Sequence, residues 1–143
     1  ELKQIVSWAQ RPFILKGIMT ARGAEKALEA GASGIVVSNH GGRVLDHCPA
    51  TAEVLPEIVD AVGGKLTIFV DGAIRSGMDM FKALALGADA VLIGRPFVTT
   101  VYGGGEEGVQ LYVQKLKAEL ADTMRMCGAH SLAEIKRSML FGF

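Results

Sequence analysis

The chain has 143 residues, which predicts a single domain that buries roughly two-thirds of its unfolded surface. Half of the residues are hydrophobic, 6% are aromatic and 18 are glycines, a composition that favours close-packed α/β layers over a β-sandwich. The 15 basic and 15 acidic side chains give a formal charge of zero. Nothing in this balance predicts nucleic acid or an anionic membrane as a partner.

Targeting and redox signals are sparse in the sequence. No stretch approaches the roughly 18 apolar residues of a membrane span, and the opening ELKQIV does not resemble a signal peptide. Cys48 and Cys127 lie far apart with no CxxC pairing, which predicts free thiols rather than a disulfide or a metal site. The closing LFGF matches no retention or peroxisomal tag. These features predict a cytoplasmic protein that binds no metal.

Apolar strands alternate with amphipathic helices along the chain. The first helix ends before Pro12, and Ser76 is the predicted N-cap of a later one. The predicted strands are PFILKG, GIVVSN, LTIFVD and AVLIG. The helices that follow them are predicted over residues 20–30, 51–61, 76–86 and 106–127, with a short helix from Ser131. The segment YGGGEEG before the long helix is predicted to be flexible.

Fully apolar strands separated by helices are typical of parallel strands buried on both faces. An internal repeat supports this order, because KALEAGASGIVVSNH from Lys26 aligns with KALALGADAVLIGRP from Lys82. Open doubly wound sheets and closed barrels both contain such strand–helix–strand units, so the repeat does not choose between them. Four strands are half of a barrel of about 250 residues and leave two bare edges. The chain is therefore a fragment, a domain of something longer, or an assembly that closes by pairing.

The segment SNHGGR, residues 38–43, is the sharpest chemical signal. His40 follows a strand directly, and two glycines after it allow a tight turn and a close approach to a ligand. Histidine is the usual side chain for proton transfer near neutral pH. Arg43 offers a planar fork that binds a carboxylate with two hydrogen bonds. The alternative is an ordinary surface turn with a structural ion pair.

The segments DGAIRSGMD, residues 71–79, and IGR, residues 93–95, form a second signal. Glycines after neighbouring strands expose backbone N–H groups, and helix N-termini with Arg75 or Arg95 add positive potential suited to a phosphate. Ordinary helix capping with an Asp71–Arg75 ion pair is the alternative. Lys16 ends the strand FILK and either reaches the mouth of the fold or extends into water.

In this order and spacing, LKGI, SNHGGRVLD, DGAIRSGMDMFKALALGAD and LIGRP resemble the C-terminal half of the FMN-dependent 2-hydroxy acid oxidases and dehydrogenases. The resemblance implies an α/β fold, the C-terminal half of a (β/α)₈ TIM barrel, with residues 1–143 as one FMN-binding half-barrel. The DGAIRSG pattern also occurs in barrels that process nucleotides or diphosphates. SNHGGR followed by LD separates the hydroxy acid family from them.

The resemblance also implies roles for individual residues. Lys16 and Ser38 contact the flavin, His40 is the catalytic base, and Arg43 binds the substrate carboxylate. The motif does not decide whether the proton comes from the α-carbon or from the hydroxyl. Ala73 stands where the family usually has a second glycine. The implied FMN-binding residues are Lys16, Ser38, His40, Gly41, Arg43, Asp71, Gly72, Ala73, Arg75, Gly94 and Arg95.

The predicted function is the FMN-binding part of an oxidoreductase that converts small 2-hydroxy acids to 2-oxo acids. The family's earlier strands supply the aspartate that orients the histidine and part of the flavin site, so the isolated chain is expected to be inactive. Its expected partners are the small hydroxy acid and either a second copy or the missing N-terminal half. The alternative is a non-catalytic half-barrel that binds FMN or phosphate, or that only self-associates.

Overall fold

In the computed structural model, which describes residues 1–143, four parallel strands form one sheet with the order β1-β2-β3-β4. Each strand lies beside its neighbour in sequence, as consecutive strand–helix units require. The strands are β1 (Ile14–Ile18), β2 (Gly34–Val37), β3 (Thr67–Val70) and β4 (Ala90–Val91). The helices are α1 (Leu2–Ala9), α2 (Ala21–Glu29), α3 (Thr51–Val62), α4 (Gly77–Ala85) and α5 (Arg95–Cys127). No helix is both long and apolar enough to cross a membrane.

The core lies between the sheet and helices α2, α3 and α4. Alternate residues of the two central strands project into it, and Ile35, Val37, Ile68 and Val70 are at most 2% exposed. The opposite face of the sheet carries a row of residues in register across all four strands, namely Lys16, Val36, Phe69 and Ala90. Helices α2, α3 and α4 therefore pack on one face of the sheet. Lys16, on the other face, contacts the polar residues that follow β2 and β3.

The internal repeat corresponds to two structural units with the same helix ending. After α2, Gly31 has φ +87° and its N–H donates to Leu28 O, and after α4, Gly87 has φ +104° and donates to Leu84 O. The left-handed conformation at both positions is the one that glycine adopts without steric cost. The chain is thus two copies of a strand–helix–strand unit laid side by side.

The prediction that YGGGEEG is a flexible loop is wrong. Helix α5 begins at Arg95, with Pro96 in its first turn, and ends at Cys127. It consists of two helical segments, residues 95–104 and 106–127, which meet at a kink where Gly105 has non-helical angles (φ 53°, ψ −136°). Proline is favoured in the first turn because the N–H that it lacks has no helical partner there. The short helix expected from Ser131 consists instead of two 3₁₀ turns, Leu132–Glu134 and Arg137–Met139.

Candidate functional site

Lys16 joins the carboxyl ends of three adjacent strands. It lies in the middle of β1, just before the register shift at Gly17, and its Nζ donates to Ser38 Oγ at 2.6 Å. The same Nζ lies 2.9 Å from Asp71 Oδ2, beyond β3. The side chain of Lys16 thus points into the mouth of the fold, which decides between the two orientations that the sequence left open. Asp71 pairs with Lys16 and not with Arg75, so the Asp71–Arg75 pair of the alternative interpretation is wrong. The helix capping that it also expected is present, through Ser76 and Asp79 at the start of α4.

A pocket of about 260 Å³ opens at these strand ends. Ten of the eleven predicted FMN-binding residues line it, and the eleventh, Ser38, is buried and bonded to Lys16. The lining also includes the apolar side chains of Ile74, Leu92 and Pro96, which lie within the DGAIRSGMD and LIGRP segments but carry no chemical signal of their own. The residues that line it are Lys16, His40, Gly41, Arg43, Asp71, Gly72, Ala73, Ile74, Arg75, Leu92, Gly94, Arg95 and Pro96.

The turn that carries His40 is held by its own side chains. Residues 40–42 form one 3₁₀ turn, and Asn39 Oδ1 accepts a hydrogen bond from Gly42 N at 3.1 Å. The N–H of His40 donates to Ser38 Oγ at 3.2 Å. His40 and Arg43 are exposed at the pocket wall. The imidazole and the guanidinium are therefore accessible to a molecule in the pocket.

None of the five ion pairs of the chain involves His40 or Arg43. A histidine that acts as a base is normally oriented by a hydrogen bond from its second ring nitrogen to a carboxylate or a carbonyl. Residues 1–143 provide no carboxylate in that position. The guanidinium of Arg43 is likewise not neutralised by a neighbouring acid, which leaves it available to an anionic ligand.

The turn between β3 and α4, residues 71–75, also lines the pocket. Its backbone N–H groups at Gly72, Ala73 and Ile74 donate to no other group of the chain. Helix α5 begins beside it at Arg95, so a helix N-terminus and two arginines face the same pocket. Free N–H groups, a helix N-terminus and guanidinium groups are the usual elements of a phosphate site.

The residues of this pocket fit the polar half of a flavin mononucleotide. Asp71 Oδ1 is buried and has no hydrogen-bond partner, so it offers an acceptor to a ligand hydroxyl such as those of a ribityl chain. Nothing lies within 4 Å of the position that a Cβ would occupy at Gly94, which leaves room for a ligand against the backbone. Arg75 and Arg95 supply positive charge for the phosphate. No group of three or more His, Cys, Asp or Glu side chains is placed to bind a metal ion.

The sequence profile of the family described as FMN-dependent dehydrogenase matches residues 1–141. The chain belongs to the FMN-dependent dehydrogenase family. The family predicted from the motifs is thereby confirmed, and with it FMN as the family's cofactor. The roles of individual residues stay predictions, because the profile names no residue.

Curated relatives of this FMN-dependent dehydrogenase chain are similar over nearly its whole length. It is 47% identical over 138 residues to a peroxisomal (S)-2-hydroxy-acid oxidase of Oryza sativa subsp. japonica, covering 96% of the chain and 38% of that protein. It is 47% identical over 137 residues to glycolate oxidase of Spinacia oleracea, covering 93% of the chain and 37% of that protein. The chain thus spans less than two-fifths of the length of these relatives.

Solved structures agree with the fold class. The crystal structure of mandelate oxidase with benzoyl-formic acid superposes with a TM-score of 0.91 at 44% identity, covering 95% of this chain and 41% of that one. Mandelate oxidase with 3,3-difluoro-2-hydroxy-3-phenylpropionic acid gives the same values. The predicted α/β fold, a portion of a TIM barrel, is therefore confirmed.

The predicted cytoplasmic localisation is wrong. Relatives 46–47% identical to the chain are named as peroxisomal hydroxy-acid oxidases, and this finding overturns it. The prediction of free thiols at Cys48 and Cys127 is confirmed. Free thiols show that these two cysteines form no disulfide, and they do not identify the compartment.

Proposed function

We propose that residues 1–143 supply the FMN-binding wall and the substrate-binding histidine and arginine of an oxidoreductase that converts small 2-hydroxy acids to 2-oxo acids. The observation that carries the proposal is the convergence of Lys16, His40, Arg43 and the 71–75 turn on one pocket at the strand ends. Family relatives named as glycolate oxidase and as 2-hydroxy-acid oxidases support the substrate class.

Oxidation of a 2-hydroxy acid removes two electrons and two protons, and each residue of the pocket has a separate part in it. Arg43 binds the carboxylate through two parallel hydrogen bonds and fixes the reacting carbon. His40 takes one proton from the substrate. When bound at this pocket, FMN would supply the acceptor for the electron pair and for the second proton. Lys16, held by Ser38 and Asp71, places a positive charge beside the strand ends, where it stabilises negative charge that develops during the reaction.

The polar half of the cofactor has its own set of groups. The free N–H groups at Gly72, Ala73 and Ile74, with Arg75 and Arg95, hold the phosphate, while Asp71 accepts from a hydroxyl of the ribityl chain. Gly94 leaves the backbone open to the cofactor. Substrate-binding and phosphate-binding groups then line one pocket, and Arg95 also donates to the Gly41 carbonyl oxygen at 3.3 Å, beside His40.

Turnover requires residues beyond this chain, because His40 has no carboxylate to orient it and the relatives are more than twice as long. We propose that the remaining strands, or a second copy of the chain, complete the barrel. The chain mixed alone with FMN and glycolate or L-lactate should therefore give negligible flavin reduction.

The proposal is tested by replacing Arg43 in the intact gene product that carries these residues. Arg43→Met should lower kcat/KM for 2-hydroxy acids by roughly two to three powers of ten, because a bidentate charged contact is lost. Arg43→Lys should recover only part of it, since a point charge does not reproduce the planar fork. Steady-state kinetics with glycolate, L-lactate and mandelate measure both.

The matched control is Arg22→Met, which removes an exposed arginine on α2, away from the pocket. It should leave kcat/KM unchanged. Unchanged kinetics for Arg43→Met would rule out its role in carboxylate recognition. Tight FMN binding without turnover of any 2-hydroxy acid would favour the alternative, a non-catalytic FMN-binding module.

A further inference from the structure

The 71–75 turn is held at both ends by hydroxyl groups from outside it. Thr51 Oγ1, at the start of α3, donates to the carbonyl oxygen of Asp71 at 2.7 Å. The hydroxyl of Tyr112, on α5, donates to the carbonyl oxygen of Arg75 at 2.9 Å. The two contacts span 20 and 37 residues of sequence, so each ties the turn to a different part of the fold.

Both donors are fixed by packing. Thr51 is 5% exposed, and a Cβ built at Gly72 would lie 3.0 Å from its Oγ1, so the turn rests directly on the hydroxyl. The ring of Tyr112 is half-buried and meets Phe97 edge-on, with centroids 5.1 Å apart. Burial is the main cause that raises the pKa of Tyr112 above its ordinary value.

The two held carbonyls lie on either side of the free N–H groups at Gly72, Ala73 and Ile74. The C=O and the N–H of a trans peptide point in opposite directions. A hydrogen bond that fixes the carbonyl of Asp71 toward Thr51 therefore directs the N–H of Gly72 away from Thr51. The direction of the Gly72 donor in the pocket therefore depends on Thr51, which does not line it. Tyr112 fixes the peptide between Arg75 and Ser76, at the other end of the turn.

We propose that Thr51 and Tyr112 are positioning residues whose hydroxyl groups hold the 71–75 turn in the conformation that binds the phosphate end of FMN. The inference rests on the proposed function, because it takes FMN as the ligand of this pocket. Neither side chain contacts the pocket, and each acts through a backbone carbonyl. The two bonds form a hydroxyl clamp on one turn.

The clamp is tested by FMN affinity in the intact gene product, measured by titrating the apoprotein and following flavin fluorescence. Thr51→Val and Tyr112→Phe remove the two hydroxyls with little change in volume. Each should weaken FMN binding about tenfold, the effect of one lost hydrogen bond. Thr51→Ser keeps the hydroxyl and should restore the wild-type Kd. The double variant should lose less than the product of the two factors, since both bonds hold the same turn.

Matched controls come from α5. Thr123→Val removes a hydroxyl that donates to the Glu119 carbonyl oxygen at 2.7 Å, far from the turn in sequence, and Tyr102→Phe removes an exposed phenol. Both should keep the wild-type Kd for FMN. Thermal unfolding is recorded for every variant. A lower Tm with an unchanged Kd in Thr51→Val and Tyr112→Phe would make both residues structural only and overturn the clamp.

The two proposals fail in different ways. Wild-type protein that binds no FMN contradicts the proposed function and the clamp together. Wild-type protein that binds FMN, with Thr51→Val and Tyr112→Phe binding equally well, contradicts the clamp alone.

Discussion

Ala73 adopts a left-handed backbone conformation, with φ at +58°, in the middle of the 71–75 turn. For a residue with a Cβ this conformation costs about 1–2 kcal/mol, and only glycine adopts it freely. The preceding Gly72 has φ +97°, so two successive residues of the turn lie in this region. The turn is therefore strained at the one position where the sequence departs from the glycine that the family usually has.

Replacing Ala73 by glycine should stabilise the protein. The relief of left-handed strain outweighs the extra entropy of glycine in the unfolded chain, which leaves a net gain of roughly 0.5–1 kcal/mol. The free energy of unfolding from urea titration measures it. Ala118→Gly is the matched control, because Ala118 is exposed within α5, where glycine should cost about 1 kcal/mol. A destabilised Ala73→Gly would show that the turn carries no such strain.

The residues at the strand ends could be predicted from the sequence, whereas the clamp residues could not. His40, Arg43 and Arg75 stand in short motifs directly after apolar strands, and parallel strands bring their carboxyl ends to one edge. Thr51 and Tyr112 lie inside helical patterns with no motif around them. Their contacts depend on how α3 and α5 pack, which sequence periodicity does not specify.

At the scale of elements, α4 and α5 meet through a backbone contact at Gly77. A Cβ at this position would lie 2.6 Å from the Glu119 Cβ and closer still to the backbone of α5, so the helices approach as near as glycine allows. The N–H of Gly77, in the first turn of α4, donates to Glu119 Oε2 at 2.9 Å. The same carboxylate also accepts from Lys115, one turn earlier on α5. Glu119 therefore links the start of α4 to α5.

The contacts of the Glu119 carboxylate make part of the stability of the fold dependent on pH in the acid range. The hydrogen bond from Lys115, followed by that from the Gly77 N–H, lowers the pKa of Glu119 below its ordinary value of 4.5. A carboxyl group with a lowered folded-state pKa stabilises the fold above its unfolded pKa and loses that contribution as pH falls through the folded value. As the pH is lowered past 4.5, Tm should therefore decrease more in the wild type than in Glu119→Gln.

Thermal unfolding of both proteins between neutral pH and acid measures this difference. Glu107→Gln, an exposed carboxylate elsewhere on α5, is the control and should follow the wild-type curve. Parallel curves for the wild type and Glu119→Gln would contradict a role for this carboxylate in acid sensitivity.

The limits of most helices could be predicted because local signals set them. Ser76 Oγ accepts from Asp79 N at the start of α4, and the glycines at 31 and 87 end α2 and α4. The predicted start of the long helix at about residue 106 agrees with the break at Gly105, where φ and ψ are not helical. The helical segment before it, residues 95–104, was missed, because three consecutive glycines, 103–105, indicate a loop by their intrinsic propensity.

At the scale of the whole molecule, the sheet has two unpaired edges and one face without helices. β1 and β4 each have a neighbour on one side only. Ile14 on β1 is 47% exposed, and Leu92, directly after β4, is 40% exposed. Trp8 of α1 and Tyr102 of α5 add large exposed rings. Soluble monomers rarely carry exposed apolar area together with open parallel edges.

We therefore expect residues 1–143, when isolated, to form at least a dimer or to aggregate, with FMN binding dependent on that pairing. The repeat of the strand–helix–strand unit suggests how two chains could pair, since two copies of the four-stranded chain supply eight strands, the number of a closed barrel. Multi-angle light scattering at micromolar concentration, with and without FMN, gives the mass of the species and whether the flavin travels with it. A stable monomer that unfolds in one cooperative thermal transition would contradict this expectation, because it would show that the sheet is stable with both edge strands unpaired.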